Sequence, residues 1–185
     1  MSAQPKVTAH LFYSINGVVE APDQFQFDAF GQAEGELMGR ALAGVTDVVI
    51  GRTLWEEWKD YWAGADDPFA SFINPVRKHV VTSTLSGPLE WNSVVVDGDP
   101  VAYVRDLAAS TEGRITVAGG VQTVRSLFTA GVIDALTLTV HPTATPDGAR
   151  LFDETVPLTR LQLVDSETTP VGNAILTYTL RPEDS

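Results

Sequence analysis

The chain has 185 residues, 12 basic against 24 acidic side chains for a net charge of −12, 44% hydrophobic residues and no cysteine. That composition fits one globular domain spanning residues 1–185, and no apolar run approaches the roughly 18–20 residues a membrane span needs. Lack of cysteine excludes disulfides, thiolate zinc sites, iron–sulfur clusters and cysteine nucleophiles, while the acidic surface repels nucleic acid and anionic membranes.

In chain order, residues 7–13 are rich in β-favouring side chains and end at Ser14-Ile15-Asn16-Gly17, where Asn-Gly marks a turn. Val18 and Val19 continue an extended segment, broken at Ala21-Pro22-Asp23. Residues 34–42 read as a helix, with Leu37, Met38, Ala41 and Leu42 at three- and four-residue spacing. Residues 45–50 form an apolar run ending at Gly51, the pattern of a buried strand. A helix follows, in which Trp55, Trp58 and Trp62 share one face as core packing. Pro68 and Pro75 punctuate a loop, and residues 79–82 and 94–96 read as strands either side of Gly87-Pro88. Residues 101–110 are a helix started by Asp99 and Pro100. Residues 114–118 are a strand, Gly119-Gly120 a turn, and residues 121–130 a helix closed by Gly131. Residues 135–140 alternate Leu and Thr with the two-residue period of a strand, and residues 161–164 and 174–180 supply two more. Strands and helices alternate and strands finish the chain, which predicts an α/β fold. Its sheet is mixed and mainly parallel, flanked by helices, with antiparallel strands at the C-terminal end.

Three strand ends carry the chemistry. At Gly119-Gly120 the backbone can approach a ligand closely, and the first N–H groups of the next helix point at whatever lies above them. Pyrophosphate suits such a turn, with Val121 at the helix start, Thr123 adding a hydroxyl and Arg125 a charge. The same glycines also suit a turn that binds nothing. Gly51-Arg52-Thr53 repeats the logic, either as an anion site or as a capped helix start with a solvated arginine. Thr82, Ser83 and Thr84 close a third strand with hydroxyls that serve turns as readily as ligands. In an open α/β sheet, ligands bind beyond the carboxyl ends of the strands, so three such ends count together. The three histidines, His10, His79 and His141, have no metal-ligand spacing, so no metal site is expected. His10, mid-strand, reads as a satisfied side chain rather than a catalyst. Phe25, Phe27 and Phe30 either wall a pocket or anchor their loop. Hydrolase elbow, Walker loop, zincin helix and Rossmann fingerprint are all missing.

In their order along nearly the whole chain, these pieces resemble the dihydrofolate-reductase-like superfamily, most closely its branch containing the reductase domain of riboflavin biosynthesis. They are Ser14-Ile15-Asn16-Gly17, Gly51-Arg52 with Trp55-Glu56, Val81-Thr82-Ser83-Thr84, Gly119-Gly120, Val132-Ile133-Asp134, His141-Pro142 and Leu151-Phe152. The resemblance implies an eight-stranded mixed sheet with NADPH across its strand ends. Gly51, Arg52 and Thr53 would meet the phosphates, and Thr82, Ser83 and Thr84 the adenosine side, where Arg52 also reaches a 2′-phosphate. Gly119 and Gly120 would form the pyrophosphate turn, which in dihydrofolate reductases holds a cis peptide. It further implies hydride transfer to a small heterocycle, pterin-like or a ring-opened sugar aminopyrimidine, in a homodimer; a cytoplasmic location is expected separately, because residues 1–6 lack the charged-then-apolar layout of a secretory signal. Leu54, Asn16 and Ala135 depart from the family pattern. The pterin-binding carboxylate has no clear counterpart; Asp28, Glu34 and Glu36 lie in its region, with Asp28 and Glu34 the catalytic candidates. These departures leave a non-catalytic ligand-binding homodimer of the same fold as the alternative.

Overall fold

The structure is a computed structural model that describes residues 5–181. Eight strands form one sheet: β1 (Val7–Ser14), β2 (Val45–Gly51), β3 (Arg77–Val81), β4 (Ser93–Val95), β5 (Arg114–Gly119), β6 (Ala135–His141), β7 (Leu161–Thr168) and β8 (Ala174–Leu180). Their spatial order is β4-β3-β2-β5-β1-β6-β8-β7. The first six in that row are parallel, and β8 and β7 add on antiparallel. The helices are α1 (Asp23–Gln26), α2 (Gln32–Leu42), α3 (Arg52–Trp62), α4 (Pro68–Ile73), α5 (Pro100–Ser110) and α6 (Val121–Thr129). Among the described residues no helix is long and apolar enough to cross a membrane.

Two apolar layers cover the sheet. One packs Ala9, Val49, Val117, Leu136 and Leu138 under Val104 of α5 and Val124, Leu127 and Phe128 of α6. The other packs Val48, Ile50 and Val80 under Trp55 of α3 and Ile73 of α4, with Trp58 and Trp62 against it. The tryptophan stripe is therefore core. Neighbouring strands β2 and β5 thus send their following helices to opposite faces, which opens a crevice at their carboxyl ends. That is the topological switch point where open α/β sheets take ligands.

Two helices fall outside the sequence expectation. α1 is a single uncapped turn. α4 occupies the presumed loop, where Asp67 accepts the Ala70 N–H and Pro68 sits in the first turn. β7 runs four residues further than expected, through Asp165-Ser166-Glu167-Thr168. As an edge strand it is wet on both faces and shows no alternation to read.

Candidate functional site

Gly51 and the Gly119-Gly120 turn lie side by side, because Ile50 is in register with Gly119. A Cβ on Gly51 would sit 2.9 Å from Thr123 Oγ1 and 3.7 Å from Gly120 Cα. One on Gly119 would sit 2.8 Å from Leu54 Cδ2, and both Gly119 (φ 145°) and Gly120 (φ 79°) hold backbone that disfavours side chains. The turn is made by these two torsions through a trans peptide, in contrast to the cis bond of dihydrofolate reductases; no cis peptide occurs among the described residues.

Each turn opens a helix whose start has no side-chain cap. α3 and α6 have Gly51 and Gly120 as N-caps with no capping hydrogen bond, whereas Asp67 and Asp99 cap α4 and α5. Two adjacent helix N-termini thus leave their first N–H groups to a ligand, with both dipoles favouring negative charge. A pyrophosphate fits this cradle: it is small, anionic and rich in acceptors, and the space a side chain would fill is kept clear.

The other expected contacts divide. Thr123 lies over both turns, 3.3 Å from where a Gly120 Cβ would be. Val121 and Thr53 occupy first turns of α6 and α3, and Thr53 is exposed. Arg52, 40% exposed, pairs with Glu56 at 2.8 Å one helical turn on. Thr82 Oγ1 accepts the N–H groups of Thr84 and Leu85, closing the strand end as a hydroxyl turn, with Ser83 and Thr84 exposed. Arg125 is engaged on the other side of its helix start, with the loop that follows β6. Its guanidinium donates to the Leu151 and Arg150 carbonyls and pairs with Asp153 at 2.7 Å, fastening the 150–153 loop to α6.

The three acidic candidates occupy different surroundings. Asp28 and Glu36 are exposed, and Glu36 accepts from Gln32. Glu34 is 1% exposed. It accepts the Gly31 N–H at 2.8 Å and Asn173 Nδ2 at 2.7 Å. Burial alone would raise its pKa, but hydrogen bonds from Thr169, Gly31 and Asn173 outweigh that and hold the carboxyl below its ordinary value. At neutral pH it is a carboxylate with no proton to give.

Around Glu34 lies a polar layer that sequence reasoning missed. The face of β6 turned from the main core carries Thr137, Thr139 and His141, and β1 sets His10 and Phe12 beside them. His10 Nε2 shares a 2.7 Å hydrogen bond with Thr139 Oγ1. Phe12 stands 5.5 Å from the His10 ring and 5.8 Å from His141, and Phe25 packs on His141 at 5.8 Å. Phe25 is thus an anchor, Phe30 lies edge-on to Phe12, and Phe27 is 75% exposed. Burial, then the neighbouring His141, lowers the His10 pKa from 6.5 to about 4. Burial also lowers that of His141, against the pull of Glu34 and Asn173.

The depressed His10 value has a consequence for stability. A histidine held neutral by the fold contributes full stability above its unfolded pKa, and the contribution is lost as pH falls from 6.5 towards about 4. The loss reaches at most about 3–4 kcal/mol at roughly 1.4 kcal/mol per unit. Urea unfolding followed from pH 7 to 4 should show this slope in the wild type and a shallower one in His10→Gln. Equal slopes in the two proteins would contradict it. The lowered carboxylates Glu34 and Asp47 add acid sensitivity in a separate, lower window, below their ordinary values of 4.5 and 3.8.

Comparison with known proteins agrees with this architecture. A Bacillus subtilis (strain 168) protein, the uncharacterized YyaP, is 20% identical over 142 residues, covering 74% of this chain and 75% of its own. A Shewanella sp. PV-4 structure named for riboflavin biosynthesis superposes with a TM-score of 0.72 at 18% identity, covering 95% of this chain and 99% of that one. A pyrimidine reductase-like protein from Corynebacterium diphtheriae gives 0.69 at 16%, over 97% and 93%. Dihydrofolate reductase from Enterococcus faecalis, complexed with NADP(H) and RAB-propyl, gives 0.57 at 16%, over 94% and 95%. These structures share the dihydrofolate-reductase-like fold. The family model of the RibD C-terminal domain matches residues 5–175, and the chain belongs to that family.

Proposed function

We propose that the protein is an NADPH-dependent reductase that passes a hydride to a small heterocycle, pterin-like or of the riboflavin-pathway aminopyrimidine type, and works in the cytoplasm as a homodimer. The observation that carries this reading is the pair of uncapped helix starts at Gly51 and Gly120, side by side at the switch point. Membership of the RibD C-terminal domain family supports it.

When bound, NADPH supplies the hydride. The chain's own residues bind, orient and exclude water. The first N–H groups of α3 and α6 hold pyrophosphate, with the Thr123 hydroxyl alongside. Thr53 takes the phosphate contact that Leu54 does not offer. Residues 82–84 border the adenosine side. Arg52 leaves Glu56 to take the 2′-phosphate, which costs little, because an exposed ion pair is worth only about 0–1 kcal/mol. Of the two acidic candidates, Asp28 is exposed to solvent, while ionised Glu34 holds the substrate side in place. The exposed outer edge of β7 is available to a second copy.

Titration with NADPH, followed by nicotinamide fluorescence, tests the reading. Micromolar binding supports it, and no binding of NADPH or NADH at near-millimolar concentration overturns it. The Arg52 role is separable. Arg52→Ala should weaken NADPH about ten- to a hundredfold and leave NADH unchanged, since one charge-assisted phosphate contact is worth about 1.5–3 kcal/mol. Equal effects on both cofactors would remove Arg52 from the 2′-phosphate.

A further inference from the structure

Charge is divided unevenly along the carboxyl end of the sheet. In the row β3-β2-β5-β1-β6, the glycine turns stand over β2 and β5, and residues 82–84 follow β3. With adenosine at residues 82–84 and pyrophosphate at the glycine turns, the direction left for a nicotinamide is towards β1 and β6. The hydride acceptor therefore meets the chain that follows those two strands, residues 15–36 and 142–150. The turn between β7 and β8 joins them, since Val171 Cγ1 lies 3.6 Å from the place of a Gly31 Cβ.

That half of the site has acids and almost no bases. No lysine or arginine occurs between Lys6 and Arg40, whereas Glu20, Asp23, Asp28, Glu34 and Glu36 all fall there. Arg40 is paired with Glu167 at 2.7 Å. Residues 168–174 have no basic side chain either. The first after β6 is Arg150, which donates from Nε to the Asn16 carbonyl at 3.2 Å. It shares the flank of Gly17 with Tyr13, whose ring packs on the core layer of α6 and not on the α2 side.

The helix starts divide in the same way. α3 and α6, which open on the glycine turns, carry no acidic residue in their first turns. α1 and α2, on the acceptor side, carry Asp23 and Glu34 there. Glu34 occupies the start of α2 itself, accepting the Gly31 N–H at 2.8 Å. Helix starts favour anions, so the fold leaves two open for the cofactor and fills the long one beside the acceptor with its own carboxylate. Among the described residues, a phosphate or carboxylate arriving there meets neither a free cation nor a free helix start, and like charges repel it. What the rim offers instead is apolar surface: Ile15, Phe27 and Phe30 are 65%, 75% and 47% exposed.

We infer that this half of the site selects against anions: the substrate is a heterocycle without phosphate or carboxylate, its body set against Ile15, Phe27 and Phe30. The inference rests on the reductase reading and narrows it, since a sugar that carries a phosphate ester is turned away.

The test uses two pairs of fluorescent rings whose members differ by one anionic group: riboflavin with flavin mononucleotide, and pterin with pterin-6-carboxylate. Each is titrated near neutral pH with saturating NADP+, which fills the cradle so that a probe phosphate cannot occupy it. The uncharged member of each pair should bind at least about tenfold more tightly. Raising salt from about 20 to about 500 mM shortens the screening length from roughly 20 to roughly 4 Å and should shrink that gap at least about threefold. Asp28→Lys, at an exposed position, should shrink it by a similar factor. An anionic member that binds as tightly as its partner overturns the inference. So does a gap that stays the same in high salt or in Asp28→Lys. The comparison on wild type needs no variant to fold. NADPH binding with no member of either pair bound defeats this inference alone. Binding of the uncharged members without NADPH or NADH binding defeats the reductase reading and leaves the charge selection standing.

Discussion

Replacing Gly120 by valine should weaken NADPH binding at least about a hundredfold and lower stability by about 1–3 kcal/mol. The stability cost follows from the backbone: φ is 79° at this position, where a β-branched residue is strained. A Cβ there would also stand 3.3 Å from Thr123 Oγ1, which would have to give way, and already in van der Waals contact with Gly51 Cα at 3.5 Å, which leaves little room for the valine methyl groups between the two turns. The binding cost has a different origin, because the new side chain would cover the free N–H groups at the start of α6. The two effects are separated by Gly131→Ala. Gly131 also has positive φ, 67°, but it lies at the far end of α6, where an added Cβ meets only Leu180 at 3.8 Å. That variant should lose stability and keep its cofactor affinity. A folded Gly120→Val protein that binds NADPH within about threefold of wild type would remove the cradle from the cofactor site.

The strand-to-helix turns of this cradle were legible in the sequence, because an apolar run that stops at glycine and resumes as a helix marks such a turn, with or without a ligand. Gly51 and Gly119-Gly120 were found that way. Their contact with each other was not, since it depends on β5 being inserted between β2 and β1 in the sheet order. The partners of Arg125 were hidden for a related reason. Its position on α6 suggests phosphate, but its carbonyl partners come from the 150–153 loop, 25 and 26 residues further along.

In the polar layer beneath α2 the signals were present and unread. Glu34 precedes Leu37 by three residues and Ala41 by seven, so helical spacing already placed it on the buried face, unlike Glu36. His141 continues the two-residue period of Thr137 and Thr139, which set it on the polar face of β6. What the sequence withheld is the role of Asn173, whose side chain reaches Ala29 and Glu34 across 144 and 139 residues. No local pattern encodes a contact of that range.

Glu34→Leu should cost about 3–5 kcal/mol of stability, the largest loss expected from any single change near the site. Removing this buried carboxylate strands the Gly31 N–H and one of the two Asn173 amide N–H groups, the other keeping the Ala29 carbonyl, and such stranded groups dominate the cost of breaking a buried polar network. Glu34→Gln keeps one oxygen and should lose about half as much. The pH dependence identifies the ionised form as the stabilising one. With its pKa lowered from 4.5, the carboxylate contributes fully above that value and loses its contribution as pH falls below it. The stability gap between wild type and Glu34→Gln should therefore hold from pH 8 to about 5 and narrow below 4.5 in urea unfolding. NADPH affinity should be the same in all three proteins, because Glu34 belongs to the layer beneath α2 and not to the glycine turns. A gap that widens in acid would mean that the protonated acid is the form the fold prefers. Glu34 would then stand where a proton donor belongs.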